Sequence, residues 1–256
     1  MKLRLAISPC PNDTFMFDAI INRRIDLRGF DIEVEYHDIE VLNSHAMDRH
    51  ADITKCSTAL LPAIKDSYTM LDSGAALGRG NGPLLVRRKG ETHPIRHIAV
   101  PGEHTTANAL IKRLFPEIEQ RTPMLFSDIA KAVKRGDFDA GVLIHEGRFV
   151  YQREELEFVA DLGLEWERRE ELPLPLGAIV AARDIEENIR TKFELLLRES
   201  IAYAFARPII SRDFIKSHAQ ELDDSVIDSH IALFVNDFSL SLGNEGREAV
   251  RRLTGV

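Results

Sequence analysis

The sequence predicts an α/β protein of two lobes facing one another across a central cleft. Three observations carry that expectation. An apolar strand, Leu3 to Ile7, runs through a proline-stiffened turn into an apolar helix, and the same order returns at Ile95 to Val100, Pro101-Gly102 and the helix that follows Thr105. Two stretches, Leu84 to Arg88 and Gly177 to Ala182, read as crossings from one such unit to the other and back. After them come two helical stripes, Ile185-Ile189-Phe193-Leu196-Leu197-Ile201 and Val226-Ile227-His230-Ile231-Phe234-Val235-Phe238, suited to closing the first unit.

The first turn reads Ser8-Pro9-Cys10-Pro11-Asn12-Asp13-Thr14. Its prolines bias Ser8 and Cys10 toward extended backbone. Asn12, Asp13 and Thr14 are all good N-cap types ahead of the apolar run Phe15 to Ile21, so the helix is expected to start there. Its unpaired N–H groups and the positive end of its dipole would then suit a substrate carboxylate. Ordinary turn chemistry explains the same residues.

Gly29 marks a turn, after which Ile32, Val34 and Tyr36 alternate with acidic residues, as in a strand with one wet face. Ile39 to His50 reads as a helix with Val41, Leu42, His45 and Ala46 on one side. Asn43 within it sits either on the solvated surface or in the cleft. Ala51 to Lys55 reads as a strand entering Cys56-Ser57-Thr58, with a helix from Ala59 to Lys65 behind. Lys55, Cys56 and Ser57 then fall at the carboxyl edge of a sheet, where open α/β sheets bind ligands. A Lys beside hydroxyl and thiol donors suits a carboxylate, and Ser57 also suits capping the helix. Tyr68 to Asp72 is a further strand. The Gly-rich run Ser73 to Pro83 lacks the Gly-Lys-Ser/Thr ending of a phosphate loop and leads into a strand, which excludes the nucleotide reading.

In the second unit, Thr105, Thr106 and Ala107 open a helix carrying Leu110, Ile111 and Leu114. Met124 to Phe126 is expected as a strand, with Ser127-Asp128 capping a helix that Gly136 stops. Phe138 to Gly147 reads as a strand ending in His145, and Leu156 to Val159 as one more. Glu165 to Glu171, with Trp166, reads as an exposed excursion. The lobes are accordingly residues 1–88 with 177–256, and residues 89–176.

Composition bounds the function. The 256 residues carry a formal net charge of −8 with no Lys/Arg block, which argues against nucleic acid and leaves a small anionic ligand open. No apolar run approaches the ~20 residues of a membrane span. The first residues are too few and too soon interrupted by proline for a signal peptide, and two cysteines make no disulfide framework, so the cytoplasm is the expected compartment. Oligomeric state is left open.

His145 is the candidate catalytic residue. Imidazole is the side chain best matched to proton transfer near neutral pH, and a strand end places it at the cleft. Glu146 follows as a possible tuning group. The remaining histidines form no expected metal set: Pro94 separates His93 from His97, with no Cys or carboxylate cluster beside them. No GxSxG elbow is present. Cys56 with His145 is the remaining nucleophile pair to consider.

Ser8-Pro9-Cys10-Pro11-Asn12-Asp13-Thr14-Phe15-Met16-Phe17 resembles the opening motif of the 1,4-dihydroxy-6-naphthoate synthase family of the futalosine route to menaquinone. Lys55-Cys56-Ser57, Ser73 to Gly80, Thr105-Thr106-Ala107, Ile144-His145-Glu146 and Leu174-Pro175-Leu176-Gly177 extend the likeness over most of the chain. The two-lobed layout resembles the type II periplasmic-binding-protein fold. The resemblance implies a cofactor-free carbon–carbon lyase acting on cyclic dehypoxanthinyl futalosine. His145 would be the proton acceptor, and Lys55, Cys56, Ser57, Thr105, Thr106, Ala107, Asn12 and Asn43 would contact an anionic substrate. A chorismate dehydratase of the same route and a solute-binding protein are the alternatives.

Overall fold

The computed structural model describes residues 1–80, 82–145, 147–219 and 223–256. The first lobe opens with β1 (Lys2–Ile7), α1 (Pro11–Ile21), β2 (Asp31–Tyr36), α2 (Ile39–Met47), β3 (Ile53–Ser57), the one-turn α3 (Leu61–Ile64), β4 (Tyr68–Met70) and β5 (Ala76–Gly78). The second contains β6 (Leu84–Arg88), β7 (His97–Val100), α4 (Thr106–Leu114), β8 (Gln120–Pro123), α5 (Phe126–Arg135), β9 (Ala140–Leu143), α6 (Gly147–Val150), β10 (Leu156–Asp161) and α7 (Leu162–Glu170). The chain returns through β11 (Leu174–Ala182) and ends in α8 (Glu187–Ala206), α9 (Arg212–Lys216), α10 (Asp224–Phe234), α11 (Asp237–Leu240) and α12 (Gly243–Thr254).

Two sheets organise these elements. The first runs β2-β1-β3-β11-β4, with β5 also on β11; β1 is parallel to β2 and β3, and β11 is antiparallel to its partners. The second runs β10-β6-β9-β7-β8. Helices cover both faces of the first sheet, as parallel strands buried on two sides require. One face carries α1, α8 and α10 over Leu3, Leu5, Phe17, Phe193 and Leu197. The other carries α3 and α12 over Cys56, Leu77, Val180 and Val250.

Helix α1 is buried along almost its whole length and on all sides rather than along one stripe, its polar residues included. Its buried Asp18 is held by Arg24 at 2.7 Å and by the Ser211 hydroxyl at 2.7 Å. The helix begins earlier than its sequence predicts. Cys10 is the N-cap and Pro11 the first helical residue, so Asn12, Asp13 and Thr14 lie inside the first turn.

Other expectations are corrected likewise. β6 pairs with β9 and β10 in the second sheet, so the first crossover precedes Leu84 rather than spanning 84–88. β11 starts at Leu174, three residues before the expected return, and that leucine lies in the second lobe's core. The strand expected at Met124 to Phe126 is instead β8, an edge strand of polar, largely exposed residues that alternation cannot reveal. α5 starts at Phe126 behind Leu125, without a side-chain cap. Gly136 does end it, in the left-handed conformation at φ 84°. The stretch around Trp166 is helix α7 rather than an exposed loop. Trp166 is fully buried, with its indole N–H donating to the Pro173 carbonyl at 3.2 Å.

A candidate active site in the interlobe cleft

A cleft with a cavity of about 80 Å³ lies between the sheets. Asn12, Lys55 and Ser57 line it from the first lobe, Thr105 to Ala107, His145 and Arg148 from the second. The crossovers add Pro83, Leu176 and Gly177, and helix α10 adds His230 and Phe234. Ser57 and Gly177 are register partners on β3 and β11, which puts the strand end and the returning crossover at one edge.

His145 lies two residues beyond β9, with left-handed backbone at φ 51°. Such a conformation is uncommon outside glycine and tends to mark sites where position matters more than local ease. The residue is partly exposed at the cleft wall, yet its Nε2 is enclosed and has no hydrogen-bond partner among the described residues. Phe126 meets the ring edge-on at 5.0 Å between centroids. Burial, followed by the Lys55 charge, pushes the His145 pKa down to about 3. The imidazole is therefore neutral at physiological pH, with one ring nitrogen, Nε2, left without a partner among the described residues. Glu146, the expected tuning group, lies outside the described residues.

A polar chain runs opposite. Asp13 accepts from the Ser8 amide at 3.1 Å and the Ser8 hydroxyl at 2.6 Å, and it also pairs with the Lys55 ammonium. Asn12 donates to Asp13 at 2.9 Å, which turns its amide oxygen toward His230 Nε2 at 3.0 Å. An oxygen there fixes the proton on Nε2 of His230. Nδ1 is left as an enclosed acceptor without a partner among the described residues. His230 is fully buried and, by desolvation first and its charged neighbours second, is held well below the ordinary imidazole value. The anion at the start of α1 is therefore Asp13, and it engages the lysine expected to meet a carboxylate.

Lys55 and Ser57 face the cleft, whereas the Cys56 side chain enters the core on the opposite face of β3, following the strand's period of two. Burial pushes the Cys56 thiol up to about 12, which removes the thiolate a Cys–His pair needs. Ser57 makes no capping bond; its hydroxyl accepts from Asn43 at 3.0 Å and its amide donates to the Asn43 oxygen at 2.8 Å. Asn43 is buried, not solvated, and supports Ser57 from behind the cleft lining.

The lobes are tied across the cleft. Thr106 donates to the Leu176 carbonyl at 2.8 Å and accepts from the Ala59 amide at 3.2 Å. Glu40 of α2 accepts from the His104 amide at 3.1 Å and lies 2.9 Å from its Nδ1. Thr105 caps α4 by accepting from the Asn108 amide at 3.2 Å.

Three residues, two lining the cleft and Asp13 buried behind it, escape the sequence reading. His230 sits at helical spacing among apolar residues and reads as core. Asp13 reads as a cap. Arg148, which bonds the Gly82 carbonyl at 2.5 Å and Asp161 at 3.0 Å, carries no motif. Among the described residues the group with metal-ligand spacing lies at Glu35, His45 and His50, none of which lines this cleft.

Comparison with known proteins follows the same lines. Residues 3–256 match the model of a family described as menaquinone biosynthesis. A 1,4-dihydroxy-6-naphthoate synthase of Thermus thermophilus is 44% identical over 253 residues, 98% of this chain and 92% of that protein. One from Streptomyces coelicolor is 40% identical, covering 98% and 91%. A crystal structure of an Archaeoglobus fulgidus protein superposes with a TM-score of 0.91 at 33% identity, over 98% of this chain and 95% of that one. The ligand-binding component of an ABC-type import system from Staphylococcus aureus matches at TM-score 0.74 and 10% identity, over 99% of this chain and 90% of that one, a likeness of fold alone. The architecture is that of a periplasmic-binding-protein-like fold. No helix among the described residues is long and apolar enough to cross a membrane.

Proposed function

The chain belongs to the menaquinone-biosynthesis family that includes the 1,4-dihydroxy-6-naphthoate synthases, and on that premise we propose that it converts cyclic dehypoxanthinyl futalosine to 1,4-dihydroxy-6-naphthoate. The observation that carries the reading is an enclosed, neutral, unpartnered imidazole nitrogen, His145 Nε2, at the wall of a two-lobed cleft. In this reading His145 accepts a proton as a carbon–carbon bond of the substrate breaks, and aromatisation of the product ring supplies the driving force.

A base held this low is weak until its surroundings change. After burial, the Lys55 charge is the second cause depressing it, so a substrate anion placed beside Lys55 offsets that charge and raises the basicity of His145 on binding. Ser57, fixed by Asn43, and the α4 start at Thr106-Ala107 supply hydrogen-bonding partners for substrate hydroxyls and carboxylate. His230 Nδ1 offers a second acceptor on the same cavity. The interlobe bonds exclude water and hold the substrate in register with the base. No prosthetic group is needed by this scheme, and a cytoplasmic location suits a soluble pathway intermediate.

The test is turnover of cyclic dehypoxanthinyl futalosine by the purified protein, followed as naphthoate formation, with His145→Ala alongside. Product from the wild type alone supports the reading. Saturable binding without product favours a solute-binding role, and turnover of chorismate in its place favours the dehydratase.

A further inference from the structure

Outside the cleft, three imidazoles and a carboxylate converge on one edge of the first lobe. Glu35 is the last residue but one of β2, with His37 just beyond the strand. His45 lies in the last turn of α2. Arg49 takes left-handed backbone at φ 56°, and the His50 amide donates to the His45 carbonyl at 2.9 Å, which folds His50 back over His45. The rings of His45 and His50 lie 4.3 Å apart, and those of His37 and His45 4.7 Å apart. Glu35 Oε2 is 3.0 Å from His50 Nε2 and 3.4 Å from His37 Nε2.

A surface carboxylate in contact with two imidazoles explains Glu35, His37 and His50, but not His45. Its Nδ1 is enclosed, with no hydrogen-bond partner among the described residues. Burial, then the charges of His50 and His37, hold His45 below the ordinary imidazole value, so it stands as a neutral ring between two others. One donor atom each from Glu35, His45 and His50 lies within 4.8 Å of the others. Donors bonded to tetrahedral zinc at about 2.0–2.2 Å stand roughly 3.4 Å apart, a closure that small side-chain rotations supply.

We propose that Glu35, His45 and His50 bind one divalent first-row transition ion, Zn2+ fitting the donor set best, with His37 beside the fourth position. Two imidazoles and one carboxylate match the ligand types zinc takes when three protein groups leave a coordination position open. The ion would cross-link the end of β2, helix α2 and the turn after it. Helix α2 also carries Glu40 and Asn43, so the site braces the element that supports Ser57 and reaches His104.

Isothermal titration of the EDTA-dialysed full chain with Zn2+, and Co2+ absorption in parallel, test this. About one equivalent should bind saturably, and melting temperature should rise with Zn2+. His50→Ala, at an exposed position, and His45→Gln should each weaken binding by about tenfold or more. His93→Ala, next to Glu91 elsewhere on the surface, should leave it unchanged. Circular dichroism of each metal-free variant confirms the fold. Absence of saturable binding to the wild type, or equal binding by the folded His45→Gln/His50→Ala double variant, overturns the proposal.

Discussion

The ring of His145 lies 6.1 Å from that of His230 at an interplanar angle of 18°, and each ring keeps one enclosed nitrogen without a partner among the described residues. One histidine comes from the second lobe and the other from the C-terminal helices of the first. A positive charge on His145 opposes one on His230, so the two rings do not both become imidazolium easily.

His145→Ala should reduce turnover by about 10²–10⁴-fold, the usual worth of a positioned base, with circular dichroism and melting temperature close to wild type. Full activity in the folded variant would end the assignment of the base.

The pH profile should lack the usual imidazole limb. A base works unprotonated, and burial with the Lys55 charge pushes His145 down to about 3. kcat/KM should therefore hold through pH about 6.5 and fall only in more acid solution. Lys55→Met, by removing the second cause, should move the acid limb upward. An unchanged limb would detach Lys55 from the base.

Asp13→Asn should destabilise the fold by about 3–5 kcal/mol, since it leaves the buried Lys55 ammonium without its anion. Urea unfolding measures this. The Asp13→Asn/Lys55→Met double variant should recover part of the loss.

Stability should fall on acidification because of His230. Its folded pKa lies below its unfolded value, so the unfolded chain binds more protons once pH drops under about 6.5. The loss has a ceiling of about 1.4 kcal/mol per pH unit for this one group. Urea unfolding between about pH 5 and 7 should show a shallower slope for His230→Gln than for wild type.

Thr106→Val keeps shape but removes the hydroxyl that joins the Leu176 carbonyl to the Ala59 amide. A cost of about 1–2 kcal/mol for the tied state should appear as a roughly 5–30-fold rise in KM with kcat little changed. An unaltered KM would show that this tie does not bear on substrate binding.

The sequence made the fold legible wherever burial imposes a period. β1, β2 and the helical stripe of α8 are read directly from apolar spacing. It hid β8, whose exposed polar residues leave no pattern. It also hid α7, where charged residues surround Trp166, which with Leu162 anchors the helix. At the site, a strand end announces His145, and a hydroxyl-rich helix start announces Thr105 and Thr106. Asp13 and His230 stayed hidden because their roles depend on long-range placement. Asp13 meets Lys55 only because β1 pairs with β3, and a histidine within an apolar helical stripe looks like core until Asn12 arrives from 218 residues away.

The ties between the lobes have a kinetic consequence. The Ala59 and His104 amides each donate across the cleft, to Thr106 and to Glu40, so both must give up their protein acceptors whenever the lobes part. Their deuterium exchange then gauges the opening equilibrium itself, while amides within β3 exchange only when the sheet breaks. A ligand that holds the molecule shut should slow those two amides together and leave the strand amides as they were.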